Sequence, residues 1–167
     1  SGEASDIVGK MLGLPYPGGP EISARALLGD SERFEFPRSM LDSGDYEFSF
    51  SGLKTSVRYL IDKVESPITE QVMNDVCASF QAAVVDVLVS TLESAGSDFK
   101  ASMSGVSGGV SCNGSLRTRC QSLADQKGWE LKLATPGYAT DNAAMIAFAA
   151  AARRFAGLPG SSLNSDI

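Results

Sequence analysis

Residues 104–117 (SGVSGGVSCNGSLR) constrain the fold of this chain more than any other stretch. A predicted strand leads into the segment, three glycines follow at positions 105, 108 and 109, and Asn113 opens a predicted helix. A strand that passes through a glycine turn into a helix brings backbone N–H groups and a helix N-terminus to one point. The segment therefore predicts a site for a phosphate or a nucleotide.

The last hundred residues are predicted to alternate between helices and strands, as in an α/β fold with a short parallel sheet. The predicted order is a long apolar helix from Glu70 to about residue 95, then a strand at 99–106, a helix at 113–126, a strand at 129–134 and a helix at 141–156. A right-handed crossover between two parallel strands places their following loops, 107–112 and 135–140, at one edge of the sheet.

The first part of the chain is predicted to be helical and supplies no clear partner strands. Helices are predicted at 4–12, 21–28 and 51–64, and short extended pieces at 34–36 and 48–50. Ser51 and Thr69 are the predicted caps of the helices that follow them. Two parallel strands alone make a poor sheet, so the pattern indicates that further strands are missing upstream.

Length and composition indicate one ordinary globular domain. The chain has 167 residues, of which 43% are hydrophobic and 20% charged, values typical of such domains. No apolar run approaches the ~18 residues of a membrane span, and residues 1–20 do not resemble a signal peptide. Three cysteines without metal-type spacing favour a reducing compartment. We therefore expect a cytoplasmic protein with no membrane partner.

Charge and histidine content exclude several functions. A net charge of −6 argues against a basic surface that binds nucleic acid unaided. The chain has no histidine, which rules out a Ser-His or Cys-His catalytic pair and any histidine-ligated metal site made by this sequence alone.

The glycine pair Gly108 and Gly109 is the first candidate binding element. A nucleotide can approach these residues closely because they lack Cβ, and Asn113 can offer its amide to a base or a hydroxyl. The same pattern fits a structural turn with Asn113 as an ordinary helix N-cap, and the two readings are equally weighted.

Two further motifs are candidates for the same site. Asp6 can hold ribose hydroxyls if Gly19 returns beside it, while the glycines Gly18 and Gly19 pack against the sugar or base. The pattern alone favours a helix-ending Gly/Pro turn with a solvated aspartate. Asp141 is a candidate ligand for a metal or a phosphate-bound magnesium. A helix cap by Thr140 or Asp141 is the more common role for such a residue.

Seven motifs in this order resemble the TsaD/Gcp family, the tRNA N6-adenosine threonylcarbamoyltransferases once described as O-sialoglycoprotein endopeptidases. The resemblance covers about residues 1–157, which we expect to form one lobe, with 158–167 as a flexible tail. The motifs are SGEASD at 1–6, LGLPYPGGP at 12–20, FPR at 36–38, FSFSGLKT at 48–55, ASFQ with VVD at 78–86, GGVSCN at 108–113 and TDNAAMIA at 140–147.

The resemblance implies the C-terminal lobe of an actin-like, ribonuclease-H-like (ASKHA) fold. It also implies transfer of a threonylcarbamoyl group from threonylcarbamoyl-adenylate to N6 of the adenosine beside the anticodon. The matching motifs imply that Asp6 and the Gly18–Gly19 pair bind the ribose side of the adenylate. They also imply that Gly108, Gly109 and Asn113 bind its adenine and phosphate side. The implied cofactors are adenylate or ATP and a divalent iron, zinc or magnesium ion with Asp141 as one ligand.

The chain departs from the family pattern in ways that bear on activity. The family's other metal ligands are two histidines of an N-terminal half, and this chain has no histidine. Many relatives carry an aromatic-Cys pair where this chain has Tyr138-Ala139. The expectation is therefore a nucleotide-binding half that is inactive alone, with tRNA and other tRNA-threonylcarbamoylation subunits as partners of the complete enzyme.

Three alternatives stay open at the level of sequence. The chain can be an inactive actin-like module that binds a nucleotide or docks partners, and exposed apolar surface would then favour self-association. The old metalloprotease description is disfavoured because the sequence has no zinc-binding spacing. A sugar-kinase-like relative is disfavoured by the FSFSGLK segment.

Overall fold

The computed structural model describes residues 2–39, 46–64, 67–140 and 142–158. Its helices and strands are α1 (Gly2–Met11), α2 (Gly18–Ala26), α3 (Ser51–Lys63), α4 (Glu70–Asp98), β1 (Met103–Val106), α5 (Gly114–Lys127), β2 (Glu130–Leu133) and α6 (Ala143–Phe155). Single 3₁₀ turns at Gly109–Cys112 and Pro136–Tyr138 precede α5 and α6. The predicted tail beyond Leu158 lies outside the described residues.

The two strands form a parallel pair, as the sequence predicted. Met103 pairs with Glu130 and Val106 with Leu133, and α5 is the crossover between them. Within the described ranges this is a sheet of two strands, so the extended pieces expected at 34–36 and 48–50 do not form strands. β1 begins four residues later than predicted because α4 continues to Asp98 and ends at Phe99.

Helix α4 is the centre of the molecule. Thr69 caps it as predicted, its side chain accepting a hydrogen bond from the Val72 N–H at 3.3 Å. Apolar residues on different sides of α4 join separate clusters, one with α1, α2 and α3 and the other with α5 and the sheet. The helix has the length and composition of a membrane span, which the sequence reading missed, but 67% of that apolar window is buried inside the protein, as in a core helix.

Several helix starts differ from the predictions, and α1 begins at Gly2, two residues earlier than expected. Helix α2 begins at Gly18 rather than at residue 21, so the glycine pair forms its first turn instead of a free loop. Phe50 precedes the first residue of α3, and Ser51 is that first residue rather than the cap. Asn142 caps α6, its side chain accepting from the Met145 N–H at 2.9 Å, so Thr140 is not the cap. Local propensity alone does not separate neighbouring polar residues that can each start a helix.

Candidate functional site

The loops that follow β1 and β2 lie side by side at one edge of the sheet. A methyl group built on Gly109 would lie 4.0 Å from Cγ2 of Thr140. Arg117 ties the two loops together, since one of its guanidinium nitrogens donates to the carbonyl oxygens of Ser111 at 2.9 Å and Ala134 at 3.1 Å. The predicted meeting of the two loops is confirmed.

The glycine loop is open to an approaching ligand. Gly108 has a φ of +85°, a left-handed conformation that side chains rarely adopt, and no atom lies within 4 Å of where its Cβ would be. Both Gly108 and Gly109 are exposed. A ligand can therefore reach this backbone without displacing protein atoms.

Asn113 joins three helices rather than standing free. Its Oδ1 caps α5 by accepting from the Leu116 N–H at 3.0 Å. Its Nδ2 donates to Gln81 Oε1 of α4 at 2.6 Å and to Ser23 Oγ of α2 at 2.9 Å. Asn113 therefore serves as an ordinary helix N-cap, which was the structural alternative. Its contact with Ser23 brings the second turn of α2 close to the start of α5.

Asp6 is in direct contact with Gly18, whereas the motif predicted Gly19 beside it. Asp6 Oδ1 accepts from the Gly18 N–H at 2.8 Å, which satisfies a free donor at the start of α2. Both residues line a cavity of about 290 Å³ together with Lys10 and Tyr16. A side chain at Gly18 would collide with the backbone of α1, whereas Gly19 has only Ser5 Cβ nearby, at 4.0 Å.

The described residues do not fit a metal ion. Asp141 lies outside them, and among the residues that the structure describes no three His, Cys, Asp or Glu side chains come together. A divalent cation needs several such ligands, so its site is not made by this set. The predicted role of Asp141 stays a prediction.

Reading of the sequence missed two polar networks. Gln81 and Ser23 surround Asn113, and Asp86 bridges Arg38 and Arg119 with nitrogen–oxygen distances of 3.0 Å to each. The sequence did hold a signal for these networks, because Arg38 lies in the family motif at 36–38 and Gln81 and Asp86 lie in the motif at 78–86. Lys54, in the FSFSGLKT motif, lies with its Nζ 3.5 Å from the Glu3 carboxylate.

The cysteines give a test of the loop's accessibility. Cys112 follows the glycine pair and is exposed, whereas Cys77 and Cys120 are buried. We expect one thiol of three to react rapidly with a disulfide reagent at pH 8 and all three to react in denaturant, measured by absorbance of the released thiolate. In the Cys112→Ser variant the rapid phase should disappear, and its persistence would contradict the structure.

Burial also predicts a loss of stability in alkali. Desolvation raises the pKa of Cys77 from 9.0 to about 11 and outweighs the nearby Arg25, which lowers it. The folded state therefore holds a proton that the unfolded state releases, so this contribution is present below pH 9 and lost as the pH rises toward 11. Denaturant unfolding at stepped pH should show this decline, and Cys77→Ala should make it shallower.

The fold and the loop geometry define a helix-rich α/β protein in which two strand-end loops meet at one sheet edge. A family model described as TsaD, tRNA N6-adenosine threonylcarbamoyltransferase, matches residues 1–148. The chain therefore belongs to the TsaD family, as its motifs indicated.

Curated relatives agree with this assignment, and each is named tRNA N6-adenosine threonylcarbamoyltransferase. The relative from Geotalea uraniireducens is 49% identical over 147 residues, covering 88% of this chain and 43% of its own. The relative from Sinorhizobium medicae is 44% identical, covering 98% of this chain and 47% of its own. That from Rhodopirellula baltica is 46% identical, with 100% and 50% covered. The chain spans about half the length of these relatives.

Proposed function

We propose that this chain supplies the adenylate-binding part of a cytoplasmic tRNA N6-adenosine threonylcarbamoyltransferase. The complete enzyme would transfer a threonylcarbamoyl group from threonylcarbamoyl-adenylate to N6 of the adenosine beside the anticodon. The observation that carries the proposal is the convergence of separated segments. Helix α2 and the glycine loop before α5 are connected by the hydrogen bond from Asn113 to Ser23. The glycine loop and the loop before α6 approach each other at Gly109 and Thr140. The lobe would be actin-like, as the family resemblance implies.

The described residues fit binding and orientation of the adenylate. Asp6 uses one carboxylate oxygen to hold α2, which leaves the other for a ribose hydroxyl. The exposed backbone of Gly108 and Gly109 suits the phosphate side, where N–H groups at the start of a helical turn have no internal partner. Acyl transfer further requires that the charge developing on the phosphate leaving group be stabilised. Among the residues that the structure describes, no cluster of His, Cys, Asp or Glu side chains could hold a metal ion for this purpose.

A loop variant with a matched control tests the binding role. Gly109→Val adds bulk to the open loop, where a Cβ would have only Thr140 Cγ2 nearby, at 4.0 Å, and Gly114→Ala adds a methyl group where nothing lies within 4 Å. We expect the Gly109 variant to bind AMP at least about tenfold more weakly, a difference of about 1.4 kcal/mol, and the Gly114 variant to bind like the unmodified chain. Calorimetric titration measures both, and equal affinities would contradict the proposal.

The isolated chain should not catalyse the transfer. It has no histidine, and its described residues form no metal cluster. After incubation with tRNA and threonylcarbamoyl-adenylate, nucleoside analysis by mass spectrometry should find no threonylcarbamoyladenosine above the protein-free control. Robust modification by this chain alone would refute the half-enzyme role.

A docking role is the second candidate, because α6 is uncovered. None of its residues is buried, and Ile146, Phe148 and Phe155 are 64%, 77% and 93% exposed. Such a face suits a partner, either another tRNA-threonylcarbamoylation subunit or a second copy. Light scattering of the chain should show association that Ile146→Ser with Phe148→Ser abolishes. A monomer that still binds AMP would leave the adenylate-binding role as the better account.

A further inference from the structure

The hydrogen bonds around Asn113 fix the orientation of two amide groups. The Leu116 N–H donates to one side of the Asn113 amide at 3.0 Å, so that side must be the oxygen. Nδ2 therefore points toward Gln81, at 2.6 Å. Because Nδ2 can only donate, Gln81 must present its oxygen there. A single backbone N–H thus determines how both side chains are turned.

Ser23 reinforces this orientation of Gln81. Its hydroxyl lies 2.9 Å from Gln81 Oε1, to which it donates, and it accepts from Asn113 Nδ2 at 2.9 Å. Gln81 Oε1 is thereby an acceptor for two donors, one from α2 and one from the start of α5. These contacts hold the glutamine in place without using its nitrogen.

The amide nitrogen of Gln81 is left with two N–H donors and no partner among the described residues. It is not sealed inside the protein, since the buried side-chain atoms without a partner in those ranges are the hydroxyls of Ser104 and Ser111. Asn113 has the opposite arrangement, because its oxygen and its amide nitrogen are both engaged inside the protein. An uncommitted donor therefore exists on Gln81 and not on Asn113.

We propose that Gln81 is the side chain that donates hydrogen bonds to the adenylate, with Asn113 and Ser23 as its positioning residues. This inference rests on the proposed function and adds a binding residue to it. Gln81 contacts Ser23 of α2 and Asn113, the cap of α5, so it lies between the two segments that are predicted to bind the ligand. Its neutral donors suit an acceptor atom such as a ribose hydroxyl or phosphate oxygen.

Replacing Gln81 with glutamate keeps the acceptor oxygen of the side chain and removes its N–H donors. A carboxylate accepts the same hydrogen bonds from Asn113 and Ser23 but has no donor for the ligand. We expect Gln81→Glu to keep the melting temperature of the unmodified chain and to lose about tenfold or more in AMP affinity by calorimetry. Gln126→Glu is the control, because it makes the same change from amide to carboxylate at an exposed residue of α5. Its AMP affinity should stay within about twofold.

Asn113→Asp gives an independent check that leaves Gln81 in place. The substituted carboxylate can still cap α5, but it no longer donates to Gln81, so Gln81 should turn its nitrogen inward. We expect weaker AMP binding, and loss of the AMP-dependent shift of the Gln81 side-chain amide signals in nitrogen-15 NMR. An unmodified chain that binds no AMP would overturn both the proposed function and this assignment. Normal AMP binding by both the unmodified chain and Gln81→Glu would overturn this assignment alone.

Discussion

Replacing Gly18 with alanine is expected to destabilise the protein by about 2–3 kcal/mol, whereas the same change at Gly19 should be nearly neutral. A Cβ at Gly18 would lie 2.5 Å from the backbone oxygen of Ser5 and 2.9 Å from Cα of Asp6. Backbone atoms of a packed helix cannot move aside cheaply, so α2 must shift away from α1. At Gly19 the nearest atom is Ser5 Cβ at 4.0 Å, which is ordinary contact.

The same substitution should affect the ligand as well as the fold. Moving α2 weakens the hydrogen bond from the Gly18 N–H to Asp6 and shifts Ser23, which contacts Asn113. We therefore expect Gly18→Ala to reduce AMP affinity more than Gly19→Ala does. Denaturant unfolding with paired titrations measures both effects. Equal stability of the two variants would contradict the close packing of Gly18 against α1.

Replacing Phe80 with alanine is expected to cost about 3–5 kcal/mol, the largest effect of any single substitution considered. Phe80 is 1% exposed and is the largest of the fully buried side chains. It lies on α4 within the cluster shared with α1, α2 and α3. Its removal leaves a cavity that the packed neighbours fill only in part.

Thermal unfolding gives the measurement and its control. A loss of this size should lower the melting temperature by roughly 10 °C in a domain of this length. Phe148→Ala on α6 removes the same side chain from a position that is 77% exposed, so it should change the melting temperature by little. A Phe80 variant as stable as the Phe148 variant would show that α4 is not the core helix.

Helix α4 links the stability of the molecule to its proposed function. Phe80 anchors it in the core, and the adjacent Gln81 faces Ser23 and Asn113. Asp86, one and a half turns further on, holds Arg38 and Arg119. The motif residues at 78–86 thus combine a buried anchor with polar contacts to α2 and α5. That combination explains how distant segments of the chain reach one place.

Much of the secondary structure could be predicted from local signals. Thr69 and Asn113 cap their helices through contacts a few residues away, and Gly128 ends α5 in the left-handed conformation. The parallel pairing of the strands followed from the helix between them. The same local signals misplaced the start of α2, because Gly18 enters the helix through contact with Asp6, twelve residues earlier.

The sequence by itself determined the helix order, the parallel strand pair, the glycine loop and the family, because these depend on neighbouring residues or on motif order. The tertiary structure alone decided what the polar residues of the site contact. From the sequence, Asn113 could equally be a donor to a ligand or a helix cap. Only the packing of α2, α4 and α5 showed that its amide nitrogen donates to Ser23 and Gln81. Hydrogen bonds between residues up to 90 positions apart depend on how the helices pack, which no local pattern encodes.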